Sequence, residues 1–327
     1  MRTQEPDTVG VAGLGLLGRG IAACCLAHGL RVVAWTQSDR PHHEAEAYIE
    51  KAIADLIRRA GFDPDLADSW RAVYTPVDSL QALRDCDFVI ESVTEDLAIK
   101  QGVFDQIEEV VRPDVPIGSN TSSIPITQLQ RPRRHPERFI GMHWAEPGHA
   151  TRFLEIIRGE LTSDDTVAAT SELARRFGKD PSLVQKDVPG FIVNRIGYAM
   201  YREAAHMLEA GIADVETIDQ SCRNAFGLWA GLCGPFRWID ITGGPELYAR
   251  CMERVLPTLC NDGTGLPAPL ETLKQQGAAG QPTGSGFYSY DENSPDWQER
   301  YHEFVWRMRE VMEEFHSPGA GGAERKP

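Results

Sequence analysis

The feature that most constrains the fold is a glycine-rich turn near the start of the chain. An apolar segment, TVGVA, runs into GLGLLG, and the helix-forming segment RGIAACCLAHG follows. In such a strand–turn–helix unit, Gly13 makes the tight turn, Gly15 lets a diphosphate approach the backbone, and Gly18 lets helix and strand pack closely. The helix start at Leu16 and Leu17 supplies N–H donors and a partial positive charge. The unit predicts a dinucleotide-binding loop; the alternative is a tight turn without a ligand.

The end of the second predicted strand bears on which dinucleotide this loop would hold. An acid at that position commonly binds the adenosine ribose hydroxyls. Here the strand RVVAW ends at Thr36, and Gln37, Ser38, Asp39 and Arg40 follow. A neutral hydroxyl with a nearby arginine is compatible with the 2′-phosphate of NADP, whereas Asp39 could turn back to the ribose of NAD. The sequence favours NAD and leaves NADP open.

The first half of the chain alternates short apolar strands with helices. The predicted strands span residues 8–12, 31–35, 72–74, 88–91, 116–119 and 139–143, and the predicted helices span residues 17–28, 43–60, 97–111 and 166–178. This alternation predicts an α/β fold with a mostly parallel sheet covered by helices on both faces. Residues 1–186 are therefore assigned to a Rossmann-type dinucleotide-binding domain.

Beyond residue 186 the pattern changes to helices with little strand between them. The predicted helices span residues 190–211, 214–226, 245–258 and 297–315. Residues 187–316 are therefore assigned to an all-helical second domain, and the Gly-rich segment 317–327 is predicted to be a disordered tail. An apolar stripe from Trp297 to Phe315 has helical spacing and predicts a packing face.

Charge and composition exclude several classes of partner. The formal net charge is −15, which argues against nonspecific binding to nucleic acid or to an anionic membrane, because both need a basic surface. No apolar run approaches the ~20 residues of a membrane helix, and the polar first residues do not resemble a signal peptide. The seven cysteines are irregularly spaced and fit reduced thiols. These features together predict a cytoplasmic protein. No ligand cluster accompanies His42 and His43, so no metal site is predicted.

Two polar groups end or follow strands at the edge where ligands bind in such a sheet. The polar run SNTSS follows one predicted strand; Thr121 or Ser123 could cap the next helix, but a cap accounts for only one hydroxyl. His143 ends the strand FIGMH, where a lone histidine is usually structural. In the segment DVPGFIVNR, Asn194 lies in the first turns of a helix, where it could orient a substrate oxygen or join the two domains.

Glu155 changes the interpretation of His143. It lies in the apolar strand FLEII, and a buried acid needs a partner. A neighbouring strand that carries His143 offers one, and a His–carboxylate pair fixes the imidazole tautomer and stabilises the imidazolium. Such a pair is suited to removing a proton from an alcohol. A salt bridge from Glu155 to Arg152 or Arg158 is the alternative.

Together these residues resemble the 3-hydroxyacyl-CoA dehydrogenase family from about residue 8 to residue 290. The matching motifs, in order, are GLGLLGRGIA, VIESVTEDLAIKQ, SNTSSIPITQL, ERFIGMHWAEP, RFLEII, KDVPGFIVNR and PTGSGFYSY. The resemblance implies that His143 is the catalytic residue and Glu155 its partner. It implies that Ser122 and Asn194 bind the substrate oxygen and line the site.

The resemblance also implies the surroundings of this site. Glu95 and Lys100 are expected close to the cofactor, together with Ser122, and the helical domain is expected to bind substrate and to form a homodimer. The implied activity is reversible NAD(P)-dependent oxidation of the 3-hydroxy group of a 3-hydroxyacyl-CoA or a related 3-hydroxy acid, as in fatty acid metabolism.

Two departures from the family pattern bear on the substrate. The family usually has Asp where this chain has Thr36, and HFFNP or similar where this chain has HWAEP, so that Glu146 replaces Asn. A carboxylate beside the nicotinamide or the substrate would disfavour an anionic substrate group unless Arg152 or Lys100 offsets it.

Alternatives follow from these departures. Members that act on carnitine, gulonate or a pyridine alcohol use no CoA, and the motifs HWAEP and SNTSSIPITQL are at least as close to that group. CoA would need basic residues after the second strand, for which Lys51, Arg58 and Arg59 are candidates, although they also fit a solvated helix face. A non-catalytic nucleotide-binding member of the same fold stays open. A 6-phosphogluconate-type dehydrogenase is disfavoured, because the expected helix carries Asn194 and Arg195 and no lysine.

Overall fold

The structure is a computed structural model that describes residues 6–36, 42–260 and 265–316. Contacts divide the chain into two compact units, with the division between Arg195 and Ile196. This point lies later in the chain than the domain boundary predicted after residue 186. Asp39, Arg40 and the predicted tail at 317–327 lie outside the described residues.

The first unit is built on one sheet. Its eight strands within the described residues are β1 (Thr8–Ala12), β2 (Arg31–Trp35), β3 (Tyr74–Val77), β4 (Phe88–Glu91), β5 (Ile117–Ser119), β6 (Phe139–Trp144), β7 (Phe153–Ile157) and β8 (Asp180–Val184). They lie in the order β3-β2-β1-β4-β5-β6-β7-β8, and neighbouring strands are parallel except for β6 and β7, which are antiparallel. The prediction of a mostly parallel sheet is confirmed.

Helices cover both faces of this sheet. Those of the first unit are α1 (Leu16–Ala27), α2 (His42–Ala60), α3 (Leu66–Ser69), α4 (Leu97–Val110), α5 (Ile126–Gln130) and α6 (Asp164–Arg176). Along β4, Phe88 and Ile90 belong to one buried apolar cluster and Val89 belongs to the other. Because successive side chains of a strand point to opposite faces, the two clusters are the cores on the two sides of the sheet.

Two strands differ from the sequence prediction. The strand predicted at 72–74 is displaced, because Trp70–Val73 form a 3-10 turn and β3 begins at Tyr74. β8 was not predicted, since Asp180, Pro181 and Ser182 provide no apolar run. It is an edge strand that is mostly exposed, and proline is tolerated at such an edge.

The strand order brings several loops to one edge of the sheet. β1 lies between β2 and β4, so the order of the strands reverses there, and ligands of such folds bind in the crevice outside the strand ends at that point. β1, β4, β5 and β6 are parallel, so their carboxyl ends share this edge. The glycine turn, the SNTSS run and His143 all follow or end these strands.

The second unit is helical, as predicted. α7 (Val193–Glu209) begins just before the division, and α8 (Val215–Ser221), α9 (Gly227–Leu232), α10 (Pro235–Ile241), α11 (Gly244–Val255), α12 (Ala268–Gln275) and α13 (Trp297–His316) follow. No helix in the described part of the chain is long and apolar enough to cross a membrane. Among the described hydrophobic residues of this unit, the buried ones are Ala205, Ile218, Cys233 and Trp306.

Candidate active site

His143 and Glu155 lie directly opposite each other in the antiparallel pair of β6 and β7. His143 Nδ1 is 2.8 Å from Glu155 Oε2, and the residues are 8% and 1% exposed. The register of two buried strands therefore fixes this contact. The alternative partners of Glu155 are engaged elsewhere: Arg152 pairs with Asp180 at 2.7 Å, and Arg158 pairs with Asp164.

The second carboxylate oxygen of Glu155 is held by the start of α7. The backbone N–H groups of Ile192 and Val193 each donate to Glu155 Oε1 at 3.0 Å. Donors at a helix start favour a negative charge. Since Oε1 is occupied in this way, Oε2 is directed to His143. The imidazole can then present Nε2 as the atom that exchanges a proton with a substrate.

Ser122 and Asn194 are brought together although they are far apart in the sequence. Asn194 Nδ2 donates to the backbone carbonyl of Ser122 at 2.9 Å. Both residues are half-buried. The residues expected to line the site therefore meet at the carboxyl edge of the sheet, and this contact is made within the first unit.

Glu95 organises the polar run that contains Ser122. Its Oε1 accepts hydrogen bonds from Thr121 Oγ1 at 2.6 Å and from the N–H groups of Ser122 and Ser123 at 2.9 Å. Burial alone would raise the pKa of Glu95, but the Thr121 hydroxyl, the Lys100 charge and the two N–H donors together lower it from 4.5 to about 2. Glu95 is therefore an anion at any physiological pH.

Lys100 is buried completely and does not reach the surface of the site. Its Nζ lies 2.7 Å from Glu91 Oε1 and 3.3 Å from Glu95 Oε2. Glu91 in turn accepts from Ser119 Oγ at 2.6 Å. Lys100 thus links the end of β4 to Glu95. Glu91 was not predicted as a site residue, although an acid at the end of an otherwise apolar strand is a signal for one.

Two further contacts at the site were not predicted from the sequence. Asn120 Oδ1 accepts from the Trp144 N–H at 3.0 Å, which joins the end of β5 to the end of β6. Asp187 Oδ2 accepts from the Thr127 N–H at 2.6 Å and so caps α5. The alternative in which Thr121 or Ser123 caps the next helix is therefore wrong, because α5 begins later, at Ile126. The Thr121 hydroxyl accepts instead from the Ile124 N–H at 3.0 Å, before the helix begins.

The glycine turn has the geometry that a bound diphosphate requires. Gly13 has φ of +109°, and a Cβ on Gly18 would lie 1.8 Å from the Gly13 carbonyl oxygen. A Cβ on Gly15 would meet nothing within 4 Å, so this position faces open space at the start of α1. The first turn of α1, which includes Leu16 and Leu17, contains no acidic residue, and no side chain caps it. These features fit an anionic dinucleotide.

Family comparisons agree with this geometry. The model for the NAD-binding domain of 3-hydroxyacyl-CoA dehydrogenase matches residues 8–188, and the model for the C-terminal domain matches residues 190–290. The chain belongs to the 3-hydroxyacyl-CoA dehydrogenase family. The resemblance seen in its motifs is confirmed, and the protein is an NAD-dependent oxidoreductase that acts on CH–OH groups.

Individual members of the 3-hydroxyacyl-CoA dehydrogenase family span most of the chain. This chain is 34% identical, over 86% of its length, to 5-formyl-3-hydroxy-2-methylpyridine 4-carboxylate 5-dehydrogenase of Mesorhizobium japonicum. The match covers 90% of that enzyme. This chain is also 34% identical over 86% of its length to a probable 3-hydroxybutyryl-CoA dehydrogenase of Deinococcus radiodurans, of which 99% is covered. A crystal structure of a 5-dehydrogenase of the same pyridine compound superposes with a TM-score of 0.84 and 31% identity, and covers 95% of this chain and 99% of that one.

Glu146, which stands where the family usually has Asn, makes a defined contact. Tyr48 of α2 donates its O–H to Glu146 Oε1 at 2.9 Å, and the Arg19 guanidinium lies 4.3 Å above the Tyr48 ring. Burial and the Glu146 carboxylate raise the pKa of Tyr48 well above its ordinary value, so its hydroxyl stays protonated. Arg152 and Lys100, which were considered as offsets for Glu146, pair with other carboxylates.

Thr36, the other departure, is half-buried and directly follows β2. The Gly13 N–H donates to the Trp35 carbonyl at 2.7 Å, so the glycine turn and the residue before Thr36 are joined. Thr36 therefore lies beside the turn, as the dinucleotide prediction requires.

Proposed function

We propose that this chain catalyses the reversible NAD-dependent oxidation of a 3-hydroxy group, with His143 and Glu155 as its acid–base pair. The observation that carries the proposal is the 2.8 Å contact between His143 Nδ1 and Glu155 Oε2 at the ligand-binding edge of the sheet. A carboxylate on one ring nitrogen directs the other nitrogen to the substrate and stabilises the imidazolium.

The proton-transfer step follows from this arrangement. His143 Nε2 accepts the proton of the substrate hydroxyl as a hydride leaves the carbinol carbon, and Glu155 stabilises the charge that forms on the imidazole. NAD, when bound, supplies the hydride acceptor. Ser122 and Asn194 are assigned to hold the substrate oxygen. Positioned acid–base help of this kind contributes typically about 10²–10⁴-fold to the rate.

The residues assigned to the cofactor divide into two groups. One group is the glycine turn and the start of α1, which are assigned to the diphosphate through Gly13, Gly15, Leu16, Leu17 and Gly18. The other group consists of Thr36, assigned to the adenosine side, and of Glu95 and Ser122, assigned to the nicotinamide side. Lys100 acts through Glu95, because its ammonium is buried against that carboxylate.

A small hydroxy acid or alcohol without CoA is the second candidate substrate. The match to a pyridine-carboxylate dehydrogenase over nearly the whole chain supports it. Two of the three basic residues considered for CoA, Arg58 and Arg59, pair with Asp55 on the same helix. Since the Asp55 carboxylate offsets part of this positive charge, α2 offers less basic surface to an acyl-CoA.

One set of assays tests the proposal. Purified protein is assayed with NAD and with NADP against 3-hydroxybutyryl-CoA, free 3-hydroxybutyrate, L-carnitine and a hydroxymethylpyridine carboxylate. We expect oxidation of at least one of these, and activity on free compounds alone would reject the acyl-CoA alternative.

A pair of histidine variants then tests the assignment. His143→Ala should lower kcat by about 10²-fold or more while NADH still binds. His135→Ala is the matched control, because His135 is a half-buried residue that faces Glu137. Wild-type activity in His143→Ala would reject the assignment. If the wild-type protein binds NADH but oxidises none of the tested compounds, the non-catalytic alternative is favoured.

The second unit supports a homodimer as the working form. Side chains of the stripe on α13 are largely exposed, among them Trp297 at 54%, Phe304 at 59% and Phe315 at 55%. An apolar surface of this kind is typical of a subunit interface. Sedimentation equilibrium should give twice the chain mass, and Phe304→Glu should shift the protein to monomer. A wild-type monomer at micromolar concentration would reject the proposal.

A further inference from the structure

Phe191 has a backbone conformation that is unfavourable for its residue type. Its φ is +52°, and among the described residues it is the non-glycine residue with a positive φ. For a bulky L-residue this conformation brings Cβ close to the backbone carbonyl oxygen. Such strain persists where the surroundings impose it, and it is concentrated at functional sites.

The local sequence explains how the strain arises. The Phe191 N–H donates to the Val188 carbonyl at 3.1 Å, across Pro189 and Gly190. Proline at the second position and a glycine with φ of +77° at the third are features of a type II turn. α7 begins at Val193. Phe191 therefore joins a tight turn to a helix within very few residues.

The first consequence concerns the two backbone groups that follow Phe191. The N–H groups of Ile192 and Val193 both point at Glu155 Oε1, each at 3.0 Å. A right-handed backbone at Phe191 would rotate the peptide groups that follow it away from this oxygen. The left-handed conformation is thus what directs two donors to one carboxylate oxygen, and it leaves the other oxygen for His143.

The second consequence concerns the ring. Phe191 is 1% exposed, and its ring centroid lies 5.6 Å from that of His143. The Phe153 ring lies 5.6 Å from the same imidazole in an edge-on arrangement. Two aromatic rings therefore contact the imidazole, while Glu155 holds its Nδ1. Packing on a side chain restricts its rotamers, which is how a catalytic group is held in place.

We propose that Phe191 is a positioning residue for the His143–Glu155 pair. Its left-handed backbone holds Glu155 through the two N–H donors, and its ring holds the imidazole of His143. This inference rests on the proposed function, because it assigns Phe191 a role in the same proton transfer. The strained conformation at Phe191 is what allows one residue to direct the N–H donors to Glu155 and to place its ring against His143.

Three variants test the proposal. Phe191→Gly removes the ring and frees the backbone to leave the left-handed conformation, which glycine can still adopt without strain. Phe191→Leu keeps apolar bulk but removes the flat ring. Phe104→Leu is the matched control, because Phe104 is also buried and packs on Phe139 with a centroid distance of 5.3 Å. The Phe104→Leu substitution also removes an aromatic side chain from the core, but at a position that does not contact His143.

Two readouts are taken for each folded variant. The first is kcat with the best substrate from the assays above. We expect kcat to fall by about tenfold or more in Phe191→Gly and by less in Phe191→Leu. Both falls are smaller than the loss of the whole acid–base contribution, which is typically about 10²–10⁴-fold. The second is the downfield proton resonance of an imidazole N–H bonded to a carboxylate, assigned by its absence in His143→Ala. It should broaden or move upfield in both Phe191 variants and stay in place in Phe104→Leu.

The outcomes separate this inference from the proposed function. Equal kcat and an unchanged resonance in Phe191→Leu and Phe104→Leu would overturn it, and this comparison decides the matter if Phe191→Gly does not fold. A wild-type protein that shows the resonance but oxidises no tested compound would reject the proposed function instead. The resonance in the variants would still decide whether Phe191 holds the pair.

Discussion

Glu155 connects the imidazole of His143 to the first turn of a helix. One carboxylate oxygen lies 2.8 Å from His143 Nδ1, and the other accepts from the Ile192 and Val193 N–H groups at 3.0 Å. The orientation of the imidazole therefore depends on residues that lie nearly 40 positions beyond Glu155 in the chain.

Glu155→Gln should lower kcat by about 10²-fold. The amide oxygen can still accept from Ile192 and Val193, but a neutral side chain no longer stabilises the imidazolium. Steady-state kinetics at saturating NAD measure the effect. Glu160→Gln is the control, because Glu160 is exposed and pairs with Arg131 at the surface. An unchanged kcat in Glu155→Gln would contradict the acid–base role.

Gly15→Ala and Gly18→Ala should separate binding from stability. A Cβ at Gly15 meets nothing within 4 Å, so this variant should fold normally but lose NADH affinity, since the methyl group occupies the space of the diphosphate. A Cβ at Gly18 would lie 1.8 Å from the Gly13 carbonyl oxygen, so Gly18→Ala should lose both NADH affinity and thermal stability. NADH fluorescence titration and thermal melting measure the two properties.

A third glycine provides the control for that pair. Gly102 lies on α4, and a Cβ there also meets nothing within 4 Å. Gly102→Ala should bind NADH as the wild type does and should be more stable by about 0.5–1 kcal/mol, because alanine loses less conformational entropy in a helix. Weak NADH binding in this control as well would show that the Gly15 effect is not local.

Lys100→Met should destabilise the protein by about 3–5 kcal/mol, because it leaves Glu91 buried without its countercharge. Glu91 and Lys100 are both completely buried. Urea unfolding measures the change. Lys51→Met replaces an exposed lysine of α2 and should change the free energy of unfolding by no more than about 0.5 kcal/mol. Equal effects of the two substitutions would contradict the structural role of Lys100.

Glu95→Gln should make the melting temperature less sensitive to acid. Folding lowers the pKa of Glu95 from 4.5 to about 2, so its charge stabilises the folded state fully above about pH 4.5 and progressively less as the pH falls towards 2. The wild type should therefore exceed the variant in melting temperature near neutral pH, and the difference should shrink by about pH 3. A difference that widens in acid would show the opposite sign of coupling.

Glu146→Gln should favour anionic substrates. Removing the carboxylate removes a repulsion of about 1 kcal/mol for a charge about 4 Å away in water, so kcat/KM for an anionic hydroxy compound should rise by about fivefold. A neutral hydroxy compound should show no such gain. Glu172→Gln, at an exposed residue of α6 that pairs with Arg175, is the control. A gain of equal size for both compounds would reject the charge effect.

Much of the fold was predictable because its signals are local. β1, β2 and β4 begin and end where the apolar runs do, and the turn between β1 and α1 needs glycines that the sequence displays. β8 escaped prediction because an exposed edge strand needs no apolar run, and its partner β7 supplies its hydrogen bonds. Asp187 escaped prediction as the cap of α5 because it lies 60 residues beyond the N–H that it accepts from.

By itself, the sequence determined the dinucleotide turn, the alternation of strands and helices, and the residue types at the site, because these depend on neighbours along the chain. Only the tertiary structure decided which partner each polar residue has. The register of β6 on β7 placed Glu155 against His143 rather than against Arg152 or Arg158, and the packing of α4 buried Lys100 between Glu91 and Glu95. Such pairings depend on distances between segments that are remote in the chain, and no local pattern encodes those distances.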